Sequence, residues 1–102
     1  MSKDALKVLR EKVLSDCPPD KAFWTCHGTI VRNLNELKNT IGGLNDYAFR
    51  YHVNSDNSKN DFAVWINDVL EDHDLAKRLN GILDKDRYQK IIEKRIFQLE
   101  SA

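Results

Sequence analysis

Five side chains suited to metal ligation or nucleophilic chemistry, Cys17, Cys26, His27, His52 and His73, are joined by the acidic run Asp68, Asp72 and Asp74. A zinc site needs three or four such ligands at converging spacing. Cys17-x8-Cys26-His27 has none of the ribbon or finger spacings, and no C-x-x-C pair accompanies it. Asp56-x-Ser58-x-Asn60 opens like a calcium loop, but Asp61 stands where the glycine belongs and Asn67 where the bidentate glutamate belongs. Asp68 and Asp72, one helical turn apart, can chelate, although such a pair is more often a solvated helix face. Cys26 precedes a helix expected to start near Thr29, whose positive end would activate a thiol directed at it. The alternative is a small buried thiol beside Phe23 and Trp24. GxSxG, P-loop, GxGxxG and HExxH motifs are absent from the sequence. The expectation is therefore no catalytic set, no metal and no cofactor.

A second chemistry is suggested by Tyr47, Phe49, Arg50 and Tyr51, an aromatic and cationic cluster able to stack on bases if it is exposed. At helical spacing such rings more commonly belong to a core. The last helix adds Lys85, Arg87, Lys90, Lys94 and Arg95, diluted by Asp84, Asp86 and Glu93. In the whole chain 16 Lys and Arg balance 16 Asp and Glu, so bulk attraction to phosphate is not expected. The balance is segregated. Asp61, Asp68, Glu71, Asp72 and Asp74 fall in a stretch without Lys or Arg, so a dipolar surface is expected.

These residues must be positioned by helices. With 102 residues, 41% of them apolar, the chain suffices for one domain. A mean hydropathy of −0.58 and a longest uncharged run of ten residues, Ala22 to Val31, exclude a membrane-spanning helix, which needs about 20 apolar residues. The polar start Met1-Ser2-Lys3-Asp4 is unlike a secretory signal, and with two cysteines this points to a reducing, cytoplasmic setting. Ser2 precedes a stripe of Leu6, Leu9, Val13 and Leu14, which Pro18-Pro19 should terminate. Ile30, Leu34, Leu37 and Ile41 share one face of a helix expected to start at Gly28-Thr29 and to stop at Gly42-Gly43 through a left-handed cap. Asn45 can cap a helix through Tyr47, Phe49 and Tyr51, and the polar run 54–60 reads as a loop. Phe62, Trp65, Ile66, Val69 and Leu70 make a wide apolar face. Leu75, Ala76 and Leu79 follow, closed by Asn80-Gly81, and Asp84 caps a last helix with Tyr88, Ile92, Ile96 and Leu99 on one side. The predicted fold is all-α: a compact single-domain bundle of five or six short amphipathic helices spanning 1–102.

Phe23-x-x-Cys26-x-Gly28, Asn33-Leu34-x-Glu36-Leu37, Phe49-x-Tyr51-His52-Val53 and Asn60-Asp61-Phe62-Ala63-x-Trp65-Ile66-x-Asp68-Val69-Leu70 carry a resemblance. They are similar to an uncharacterised family of small archaeal and bacterial domains, found alone or attached to larger proteins and catalogued as a domain of unknown function. The resemblance covers roughly residues 22 to 80, flanked by the first and last helices. It implies a domain boundary and a fold, and brings no activity, substrate or partner.

Within that segment Asn60 or Asp61 should cap the following helix, and His52 can donate across the loop to the Asp61 carboxylate, latching its stems. The expected function is a non-enzymatic helical interaction domain with a protein partner. Its candidate residues are Cys26, His52, Asn60, Asp61, Trp65 and Asp68, near the 52–62 loop and the acidic 61–74 helix. Homo-oligomerisation through Leu6, Leu9 and Val13, or through Tyr88, Ile92 and Leu99, would also bury an apolar face. The alternative is a nucleic-acid or ribonucleoprotein-associated factor, and the third reading is metal- or thiol-dependent activity around Cys26 and His52.

Overall fold

Side-chain caps set most of the helix starts. In the computed structural model, which describes residues 3–56 and 58–102, Asn33, Asn45, Asn60, Asp72 and Asp84 each accept a backbone N–H from the first turn of a helix. Each such cap is worth about 0.5–2 kcal/mol. The six helices among the described residues are α1 (Lys3–Leu14), α2 (Leu34–Gly43), α3 (Asp46–His52), α4 (Asp61–Trp65), α5 (His73–Arg78) and α6 (Lys85–Glu100). They make a compact, mostly helical single domain, as the apolar periodicity predicts. Ser2, expected ahead of α1, and Asn57 of the polar run lie outside the described residues.

Two short hairpins join the helices, where no alternating pattern announced strands. β1 (Phe23–Trp24) pairs antiparallel with β2 (Ile30–Val31), in the register Phe23 to Val31 and Trp24 to Ile30. β3 (Val53–Asn54) pairs with β4 (Lys59–Asn60). Ile30 therefore belongs to a strand. The expected helix start at Gly28-Thr29 is replaced by a hairpin turn with Gly28 at φ 83°, a left-handed conformation glycine adopts without steric cost. The helix begins four residues after Ile30, at Leu34.

Gly42 and Gly43 do not form a left-handed cap. Both lie inside α2, and Leu44 ends the helix in extended conformation. A Cβ on Gly42 would meet the amide end of the Gln89 side chain from α6, which would have to move aside. Gly81 is left-handed, with φ 78°, but does not cap the helix: α5 ends on Leu79 in right-handed conformation, and Gly81 sits in the following turn, closed by Ile82 N–H to the Leu79 carbonyl at 3.2 Å. Beyond Trp65 the chain continues as a π-helical turn, Ile66–Leu70, closed by Glu71 at φ 60°.

The apolar stripes converge on one core. Val13, Leu34, Leu37, Ile41, Phe49, Phe62, Ile66, Leu75, Tyr88, Ile92 and Leu99 are all buried in it. This corrects the expected oligomer faces: Val13, Tyr88, Ile92 and Leu99 are spent inside the chain, and Leu6 and Leu9 pack against the same cluster. α6 packs against both α1 and α2.

The charge segregation is also partly consumed internally. Arg95 and Asp72, each 1% exposed, form a bidentate pair with Nε to Oδ2 at 2.8 Å and Nη2 to Oδ1 at 2.9 Å. Arg95 Nη1 donates to Gln98 Oε1 at 2.7 Å. Lys12 pairs with Glu71 at 3.3 Å and Arg78 with Asp74 at 2.9 Å. Of these contacts, Asp72 with Arg95 fastens the start of α5 to α6 and Glu71 with Lys12 fastens the end of the π turn to α1, while Asp74 with Arg78 closes within α5.

Candidate functional site

His52 ends α3 and is 3% exposed, under the rings of Phe23, Tyr51 and Phe62. Its Nδ1 lies 2.9 Å from Asp61 Oδ2, across the base of the β3–β4 hairpin. This is the contact expected between the loop stems. Its Nε2 accepts the backbone N–H of Cys26 at 3.0 Å. An N–H on one side and a carboxylate on the other assign the neutral tautomer with the proton on Nδ1. His52 therefore ties the β1–β2 turn to the β3–β4 hairpin and to the start of α4.

The pair resembles an acid-base dyad, yet both ring nitrogens are engaged inside the fold, so neither is open to a substrate. The Cys26 contact is made by a backbone amide, a group that leaves no mark in a sequence. Cys26 itself is exposed, which overturns the buried-thiol reading. The helix-activation argument fails too, because the residues after it form a hairpin. Cys17 is half-buried, and burial raises its thiol pKa.

Asn60 caps α4 through its carbonyl oxygen, which also accepts the Tyr88 hydroxyl, while its amide donates to the Leu79 carbonyl at 3.0 Å. One side chain so links α4, α5 and α6. Burial raises the Tyr88 phenol well above its ordinary value, and the Asp61 charge adds to that. Trp65 is buried and donates from Nε1 to the Lys21 carbonyl at 2.8 Å, anchoring the segment before β1. Asp61 leaves the cap to Asn60 and instead meets His52 and, at 3.4 Å, Lys59 Nζ.

Other candidates are dispersed. Asp68 is exposed and accepts from Asn67 Nδ2 at 3.1 Å, while Asp72 is buried on Arg95, so the two do not chelate. His27 is exposed, and His73 Nδ1 pairs with Asn67 Oδ1 at 2.7 Å. Among the described residues no group of three His, Cys, Asp or Glu converges to hold a metal, and no helix is long and apolar enough to cross a membrane.

Outside this framework the surface is grooved. A cleft of about 380 Å³ runs between the β3–β4 hairpin and the turn after α5. A second of about 380 Å³ lies along α4 and shares Ser58, Asn60 and Asn80 with the first. A third, around Phe23 and Trp65, shares Val64 and Asp68 with the second. Val64, 58% exposed, lines the second and third clefts. Sequence reasoning missed Val64 because it falls beside, and not on, the apolar stripe.

No curated protein and no solved structure matches the chain. One family does, over residues 28–99. That stretch leaves Phe23 and Cys26 ahead of it and takes in α6, which the expected 22–80 core excluded. Covering well over half of the sequence, the match makes the chain a member of the family of unknown function DUF5752.

Proposed function

We propose that the chain is a non-enzymatic helical domain that binds another protein through the β3–β4 hairpin and the outer face of α4. The observation that supports this most directly is the run of adjoining clefts that share Ser58, Asn60 and Asn80 and border the exposed Val64. An exposed branched side chain beside clefts, on a face stiffened from beneath by Asn60 and His52, suits a preorganised contact surface. Asp61 and Asp68 line the third cleft and favour a partner with basic residues at its rim. The resemblance to archaeal and bacterial domains that stand alone or attached to larger proteins fits a binding role. Both cysteines are free thiols, in keeping with a reducing, cytoplasmic setting.

The test is capture from native lysate by the wild-type chain and by Val64→Asp, identifying both protein and RNA. Val64 is exposed, so the variant should fold with stability changed by no more than about 0.5 kcal/mol. The proposal expects a protein recovered by the wild type and lost by the variant. Recovery of RNA alone, or of the same proteins by both chains, contradicts it.

A further inference from the structure

α3 turns two aromatic rings toward solvent while Phe49, between them in sequence, is buried. Tyr47 is 84% exposed and Tyr51 54%. Four residues apart on a helix, they share a face with Cβ atoms about 5–6 Å apart. Arg50, three residues after Tyr47, joins them, and with Asp56 they line a cleft of about 620 Å³. Tyr51 is held in place: its ring meets His52 edge-on at 5.0 Å between centroids. Lys59 Nζ lies 4.2 Å from the Tyr51 ring centroid and donates to the Tyr51 carbonyl at 2.7 Å. The Arg50 guanidinium, by contrast, has no carboxylate within ion-pair distance among the described residues.

Flat exposed rings beside an uncompensated guanidinium match the two parts of a nucleotide. A base stacks on a tyrosine whatever its identity, because every base has a π-face. A guanidinium takes a phosphate with two parallel N–H donors. Asp56 at the cleft edge can accept a base N–H, such as the N3–H of uracil. The zero net charge of the chain is compatible with this chemistry, since stacking carries the affinity and only one phosphate is neutralised. A double helix keeps its base faces stacked on one another and cannot offer them to the tyrosines.

We propose that Tyr47, Arg50 and Tyr51 form a binding site for single-stranded nucleic acid, with unpaired bases stacked on the tyrosines and one phosphate on Arg50. Tyr47, Arg50 and Tyr51 line none of the clefts around Val64 and Asn80, although Asp56 belongs to the same β3–β4 hairpin, so Tyr47→Ala and Val64→Asp test the two sites separately.

Fluorescence anisotropy with labelled oligouridine, and with a labelled duplex of equal length, tests it. The wild-type chain binds the single strand, and Tyr47→Ala weakens binding about 5- to 150-fold. Tyr47→Phe, which keeps the ring, retains it. Arg50→Gln weakens binding and flattens the slope of log K against log salt from about −0.7 toward zero. Tyr47 and Arg50 are exposed, so thermal melting of the variants should match the wild type and separate lost binding from lost folding. Absence of oligouridine binding overturns the proposal, as does equal binding of the duplex or an unchanged affinity in Tyr47→Ala. A proline-rich peptide that binds through Tyr47 where oligouridine does not would assign the site to peptides instead.

Discussion

Asp72 with Arg95, and Asp61 with His52, are both contacts between a carboxylate at a helix start and a basic side chain, but their surroundings differ. Asp72 and Arg95 are equally buried, and each polar atom of the pair has a partner: the guanidinium reaches Asp72 twice and Gln98 once, and Asp72 Oδ1 also caps α5 through Leu75 N–H. Two charges withdrawn from water are tolerated only with such complete pairing. Asp61 keeps about a third of its side chain in solvent, while His52 is neutral and reaches a backbone amide in a different hairpin. The first contact closes helices on one another. The second holds two hairpins at a surface where clefts and exposed rings collect. Burial of a polar contact is thus compatible with two jobs, and what surrounds it tells them apart.

The sharpest way to break the comparison is to open the closed pair. Arg95→Leu should lose about 3–5 kcal/mol in urea denaturation, because Asp72 is left charged and dry. Adding Asp72→Asn to Arg95→Leu should restore part of that loss by removing the orphaned charge while keeping a capping oxygen for α5. Equal stability of the single and double variants would mean that charge pairing is not what the site requires.

His52→Ala should cost less, about 1–3 kcal/mol, since it leaves the Cys26 N–H and the Asp61 carboxylate without their partner. Its effect should be local: faster amide exchange at Cys26 and in the two hairpins, with α6 still protected. In a double-mutant cycle with Asp61→Ala the two losses should be less than additive. Strict additivity would show that the pair does not act as a latch.

A smaller effect appears in alkali. Burial lifts the Tyr88 phenol above its ordinary value, so the protonated hydroxyl contributes stability that is fully present below the unfolded tyrosine's pKa of about 10. That contribution is lost as pH rises beyond it. Cys17 acts with the same sign from about pH 8.5, weakly because it is only half-buried. Tyr88→Phe should lower stability at neutral pH by about 1 kcal/mol and flatten the decline above pH 10. Least of all, Tyr47→Ala should shift stability by no more than about 0.5 kcal/mol. A larger loss would place Tyr47 in the fold and not on its surface.

Much of the helical scaffold is readable from local signals. Asn45 and Asp84 are caps with an apolar stripe behind them, and Gly81 follows a stripe that ends. His52 and Asp61 flank a polar run, so their meeting follows from the closure of one short loop. The hairpins are different. Strands of two residues are too short to alternate, and Ile30 continues the spacing of α2 although it sits in β2. Arg95 and Asp72 meet only because α5 packs on α6, an arrangement without a local signal. Phe49 and Tyr51 look alike in a helix of seven residues, where periodicity marks a face but not which face is inward.

The most direct test is nitrogen NMR of the His52 ring in the folded protein. The account predicts a neutral ring with the proton on Nδ1 and a measurable coupling across the hydrogen bond from the Cys26 amide to Nε2, leaving no ring nitrogen for catalysis. A ring protonated on Nε2, or one whose Nε2 shows no coupling and exchanges freely with solvent, would contradict it and would restore His52 as an available base.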